Sequence, residues 1–104
     1  MIIADFLVSK NNFLGFTVSG HSEYDDFGLD IVCAGVSSSV MLTINTVDEF
    51  FKCKNITKIA ENLIHFKITE NNPQSSLMIK SLFYHLKQLQ EDYNDNIQVK
   101  ITEV

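Results

Sequence analysis

Two residues that can act together in covalent catalysis lie close to each other near the start of the sequence. His21 follows Gly20, and Cys33 follows a polar, acidic segment that ends at Asp30. A histidine can accept the proton of a cysteine thiol and so prepare the sulfur for attack on a carbonyl carbon. The pair predicts a nucleophile, Cys33, and a base, His21. Two residues alone do not define a site, and a free cysteine is often only a small buried hydrophobe.

The expected start of the following helix bears on the reactivity of Cys33. Asp30 is a favourable N-cap residue, because its carboxylate can accept a hydrogen bond from a backbone N–H two or three residues further on. With Asp30 as the cap, Cys33 lies in the first turn, where free amides and the helix dipole stabilise a thiolate. The charge of Asp30 opposes this effect. Its useful roles are to cap the helix or to orient His21, and both stay open.

The remaining candidates are weaker. Ser37 lies one helical turn after Cys33 and could donate its hydroxyl to a substrate carbonyl. From the sequence alone, small residues here are better explained by close packing of the helix on a sheet. Cys53 is expected to be core or inert, and His65 and His85 are expected to be solvated.

The periodicity of the apolar residues predicts the elements that position these side chains. Strand patterns cover residues 2–8 and 13–20, and in the second of them one face is expected to hold Leu14, Phe16 and Val18. A helical stripe then runs to about residue 52 through Val32, Val36, Val40, Ile44, Val47 and Phe51. A second hairpin is predicted at 56–60 and 63–69, and a last strand from 97. A second helix is predicted from Asn72 and Pro73, with a buried stripe of Met78, Leu82, Leu86, Leu89 and Tyr93. The order is ββαββαβ. It predicts one domain over residues 1–104, of α/β (α+β) class, with two layers: about five strands covered by two helices.

Composition and charge narrow the classes of function. The net charge is −5, and all eight basic residues are lysines. Without arginine, direct nucleic-acid binding is not expected, and the acidic surface favours a cationic partner. The spacing of Cys and His predicts no metal site, and no glycine-rich phosphate loop or other cofactor motif is present. No uninterrupted apolar run approaches the roughly 20 residues of a membrane span. A cytoplasmic protein with reduced thiols is expected.

The segment Gly20-His21, eight further residues, Asp30-Ile31-Val32-Cys33-Ala34 and then Ser37 resembles the signature of the ribosomal-processing cysteine protease family. The resemblance covers essentially the whole chain through its element order. It implies a catalytic dyad of Cys33 and His21, with Gly20, Asp30 and Ser37 as supporting residues. It also implies removal of the short N-terminal extension of a large-subunit ribosomal protein, and a homodimer. Gly35 stands where alanine is expected in many members.

Two alternatives stay open from the residues. The first is a non-enzymatic ribosome-associated or dimerisation module, in which Cys33 only packs. The second is an acylphosphatase-like hydrolase on a similar small scaffold. Phosphate binding in the second would call for an arginine, which the sequence lacks.

Overall fold

The computed structural model describes residues 1–20 and 27–104, with side chains at 1–20 and 31–104. Its strands are β1 (Ile2–Ser9), β2 (Asn12–Ser19), β3 (Asn55–Ala60), β4 (Leu63–Ile68) and β5 (Ile97–Glu103). Its helices are α1 (Phe27–Asn45), which continues into a π-helical turn (Thr46–Phe50), and α2 (Pro73–Asp92). The predicted order ββαββαβ and the five-stranded sheet with two helices are confirmed.

The five strands form one mixed sheet in the order β3-β4-β2-β1-β5. The pair β1–β5 is parallel, and the other neighbouring pairs are antiparallel. The β1–β2 hairpin turns through Lys10 and Asn11, whose φ angles of 50° and 69° match the right-handed twist of the flanking strands. β3 runs parallel to β2 with β4 between them, so the connection through α1 is a crossover.

Both helices cover the same face of the sheet. α2 packs on β2 and β5 and lies beside α1. The helix of this crossover connects β2 to β3 and lies beside α2, which places α1 on the β4 side of α2. The predicted stripe of α1 is confirmed as the central part of the core, since the side chains of Val32, Val36 and Val40 are fully buried. They meet a sheet face built around three buried phenylalanines, Phe6, Phe16 and Phe66.

The sequence pattern was wrong about one position in β2. Simple alternation places Leu14 on the same face as Phe16 and Val18, but the register with β1 shifts between Leu7 and Val8. A bulge of this kind adds one unpaired residue to a strand. Phe13 therefore enters the core instead of Leu14, and its ring meets that of Phe6 edge-on at 6.2 Å.

Two further corrections concern the C-terminal elements. In α2, Leu82 and Leu86 are buried as predicted, but Ile79 is fully buried and was not part of the predicted stripe. In β5, Ile97 and Val99 are buried while Ile101 is 46% exposed, because this end of the edge strand runs past the helix layer. The predicted helix start is confirmed: Pro73 is the first residue of α2, and Asn72 Oδ1 accepts from Ser75 N at 2.8 Å.

The segment Ile31–Phe50 is long and apolar enough to cross a membrane by length and composition. The segment contains no long uninterrupted apolar run, because Ser37, Ser38 and Ser39 and the polar residues after Leu42 interrupt it. In the fold, one side of the segment supplies part of the core, including Val36, Val40 and Val47. Packing against the sheet accounts for these buried residues of the segment.

Candidate active site

Gly20 ends β2 at the same end of the sheet as the N-terminal end of β1 and the β3–β4 turn. Its φ is +87°, and a Cβ at this position would collide with the carbonyl oxygen of Met1. Its N–H donates to the carbonyl of Asn62 at 3.2 Å. A glycine is required here for both conformation and space. It sets the point from which the chain continues into His21, which lies outside the described residues.

Asp30 is not the N-cap of the helix, so of the two roles left open for it from the sequence, orienting His21 remains. α1 begins at Phe27, so Asp30 is its fourth residue and Cys33 its seventh. The sequence is compatible with this earlier start, because Leu29 precedes Val32 by three residues, a helical spacing. The free amides of a helix belong to its first turn, and the dipole effect falls off within that turn. Cys33 therefore lies beyond the first turn of α1, and the free amides and the dipole at the start of the helix do not act on its thiol as the sequence had suggested.

Cys33 and Ser37 share one flank of α1, as the spacing predicted. Gly35 marks the opposite flank, because the site of its missing Cβ lies 3.7 Å from Leu89 Cδ2 of α2. Cys33 and Ser37 are each two residues from Gly35, a rotation of about 200° around the helix. Both side chains therefore face away from α2. Cys33 is a half-buried free thiol that packs against the core, and Ser37 is also half-buried.

The other sequence candidates divide as follows. Cys53 is 3% exposed, which fits the prediction of a core residue, and its thiol donates to the carbonyl of Lys54 at 3.6 Å. His85 is exposed on α2. His65 is not simply solvated: it is half-buried on the sheet face opposite the helices, with Nδ1 2.8 Å from Thr17 Oγ1. This pair lies across the sheet from the helix that carries Cys33.

Cavities and metal-ligand clusters do not point to a different site. A cavity of about 570 Å³ lies where β2 begins and β4 ends, opposite to the end at Gly20. It is lined mainly by residues 67–73 and has no nucleophile with a neighbouring base. Within residues 1–20 and 31–104, no group of three or more His, Cys, Asp or Glu side chains could hold a metal ion.

A half-buried free thiol on an accessible helix flank, above an α+β sheet, is an arrangement that suits a thiol-dependent hydrolase. The family model described as cysteine protease Prp matches residues 1–98. The chain belongs to the cysteine protease Prp family, and the resemblance seen in the sequence is confirmed. It is a cysteine protease, and this excludes the acylphosphatase-like and non-enzymatic alternatives as its class.

Individual relatives agree with this assignment. The ribosomal processing cysteine protease Prp of Staphylococcus aureus is 27% identical over 103 residues, covering 95% of this chain and 97% of that protein. A crystal structure of an essential ribosomal processing protease Prp from S. aureus with a substrate peptide has a TM-score of 0.90 at 23% identity, over 98% of this chain and all of that one. A second, with a covalently linked product peptide, has a TM-score of 0.88 at 24% identity, over 98% and 100% of the two chains. The two structures show that the fold is shared.

Proposed function

We propose that this protein removes the short N-terminal extension of a large-subunit ribosomal protein, with Cys33 as nucleophile and His21 as general base and acid. The observation that carries the proposal is the accessible flank of α1, which presents the half-buried thiol of Cys33 within a fold of the cysteine protease Prp family. The S. aureus relative bears the name of a ribosomal processing protease, and its crystal structures contain a substrate peptide and a covalently linked product peptide.

The chemistry follows from these two side chains. His21 accepts the proton of the Cys33 thiol, and the thiolate attacks the scissile carbonyl carbon to form a carbon–sulfur bond. The carbon–nitrogen bond then breaks, and the imidazolium returns the proton to the leaving amine. His21 next takes a proton from water, which attacks the thioester, and the acid product leaves as the thiol reforms. No metal or cofactor is needed for either step.

The supporting residues have distinct roles in this proposal. Gly20 holds the end of β2 in a conformation that delivers the chain to His21. Since Asp30 is inside the helix rather than at its cap, orienting His21 becomes its favoured role. Ser37 lies one turn from Cys33 on the same flank and can donate its hydroxyl to a bound peptide.

The partner and location are part of the same proposal. A net charge of −5 complements a basic ribosomal protein. Two free cysteines, of which one is half-buried, suit the reducing cytoplasm. The protein is proposed to act as a homodimer, which would cover some of its exposed apolar side chains, such as Phe50 (79% exposed) and Leu77 (65%). Light scattering should give twice the chain mass of 11.8 kDa, and a clean monomer mass at micromolar concentration would refute the dimer.

Peptide cleavage tests the reaction directly. The purified protein is mixed with the N-terminal peptide of the same organism's extended large-subunit ribosomal protein, and the products are followed by mass spectrometry. Wild type should release one discrete N-terminal fragment. Cys33→Ala should abolish cleavage, and His21→Ala should lower the rate by roughly 10²- to 10⁴-fold, as expected for a general acid–base.

Matched variants separate catalysis from stability. Asp30→Ala and Ser37→Ala should give partial losses of kcat, and Cys53→Ser should leave cleavage nearly unchanged. Circular dichroism must show that each variant is folded. Cleavage at the wild-type rate by folded Cys33→Ala would remove Cys33 as the nucleophile and the proposal with it.

A further inference from the structure

The edge strand β3 has a face that the helix layer leaves open. Thr57 pairs with Phe66 of β4, and Ile59 pairs with Ile64. Partners across an antiparallel ladder lie on the same face of the sheet, so Thr57 and Ile59 point towards the helix side. Ile64 is 7% exposed, but Ile59 is 60% exposed. The helix layer therefore stops above β4, and β3 forms the floor of a step beside α1.

The wall of this step is the flank of α1 that carries Cys33. α1 lies on the β4 side of α2, so its other flank faces β3. Cys33 and Ser37 lie on this flank, and Met41 follows one turn later. The side chain of Met41 is half-buried and packs against the core, like that of Cys33. The candidate nucleophile thus lies on the side of α1 towards a step whose floor contains one exposed apolar residue, Ile59.

Ile59 lies at the end of the sheet where Gly20 leaves β2, because Ile59 pairs with Ile64 and Gly20 N donates to the carbonyl of Asn62. The N–H of Val99 in β5 donates to Gln90 Oε1 of α2 at 2.5 Å. The neighbouring Leu89 is the residue that contacts Gly35, midway between Cys33 and Ser37. Val99 belongs to the cross-strand row that ends at Ile59, through Ala4, Val18 and Ile64.

We infer that Ile59 forms an apolar subsite for a side chain of the substrate peptide, which lies extended in the step between α1 and β3. This rests on the proposed proteolytic role of Cys33. Among the described residues, α2 covers one flank of α1 and the sheet lies beneath it, which leaves the step as the approach to the thiol. An extended peptide rises about 3.3 Å per residue, like the strand beside it. An apolar substrate side chain placed on Ile59 removes apolar surface of both molecules from water, which favours binding.

The test compares two substitutions in the same strand. Ile59→Asp places a charge on the floor of the step, while Ile56→Asp changes the same residue type on the opposite face, where Ile56 is 48% exposed. With the ribosomal N-terminal peptide as substrate, Ile59→Asp should raise KM by about tenfold or more, the scale expected for loss of an apolar pocket contact. Its kcat should stay within about threefold of wild type, since Ile59 holds no reacting atom. Ile56→Asp should leave both constants within about twofold.

A binding measurement makes the test independent of turnover. In the Cys33→Ala background, fluorescence anisotropy of the labelled peptide should show a Kd about tenfold higher for Ile59→Asp and unchanged for Ile56→Asp. Equal effects of the two substitutions on KM and Kd would overturn the subsite, as would a fall in kcat with unchanged Kd for Ile59→Asp. Failure of the wild type to cleave and of Cys33→Ala to bind would instead overturn the proposed function.

Discussion

The same substitution, glycine to alanine, should have opposite effects at two positions near the candidate site. At Gly20 the φ of +87° and the collision of a Cβ with the Met1 carbonyl both oppose alanine. A left-handed conformation costs an L-residue about 1–2 kcal/mol, and overpacking costs about 1–3 kcal/mol more. The free energy of unfolding of Gly20→Ala should therefore fall by about 2–5 kcal/mol.

At Gly35 the same added methyl group meets only Leu89 Cδ2 at 3.7 Å, an ordinary van der Waals contact. Alanine is favoured over glycine inside a helix by about 1 kcal/mol. Gly35→Ala should therefore raise the free energy of unfolding by about 0.5–1 kcal/mol. The two variants form a matched pair, because the atoms added are identical and only the backbone and its surroundings differ.

Urea unfolding monitored by circular dichroism measures both changes. With a slope of about 1–3 kcal/mol per M, each 1 kcal/mol moves the midpoint by roughly 0.3–1 M. Peptide cleavage at a temperature where both variants are folded gives the second readout: Gly20→Ala should lose activity and Gly35→Ala should not. A Gly20→Ala midpoint within error of wild type would show that the end of β2 is not constrained as described.

Three further outcomes are expected. Brief treatment with iodoacetamide should label the half-buried Cys33 well before Cys53, which is 3% exposed, and peptide mapping that found equal labelling would contradict the accessibility of the α1 flank. Asn72→Ala should lower the free energy of unfolding by about 1 kcal/mol, because the hydrogen bond that caps Ser75 N is lost. Its KM should not change, since Asn72 lies at the far end of the sheet from Gly20, and a rise in KM would place the substrate elsewhere. Asp30→Ala should lower the free energy of unfolding by less than about 1 kcal/mol, since Asp30 is not the N-cap, but it should lower kcat. A loss of about 1 kcal/mol or more with unchanged kcat would instead support a capping role.

The sequence by itself determined the order of the strands and helices and which of them carries the candidate catalytic cysteine. Alternation in β1 and β4 and the stripe Val32, Val36 and Val40 identify the core faces, because a buried face must be apolar at the period of its element. The spacing of Cys33 and Ser37 placed them on one helix flank for the same reason. Gly20 before His21 was recognisable only as part of a family pattern.

The tertiary structure decided what local patterns leave undetermined. The bulge that brings Phe13 into the core depends on the register between β1 and β2, which no single strand specifies. The start of α1 at Phe27 places Asp30 inside the helix and not at its cap, which a favourable cap residue in the sequence could not decide. The strand order also places β3 at the edge of the sheet, beyond the strands that the two helices cover. Ile59 has the pattern of an inward-facing residue, and only its place in the edge strand leaves it open to solvent.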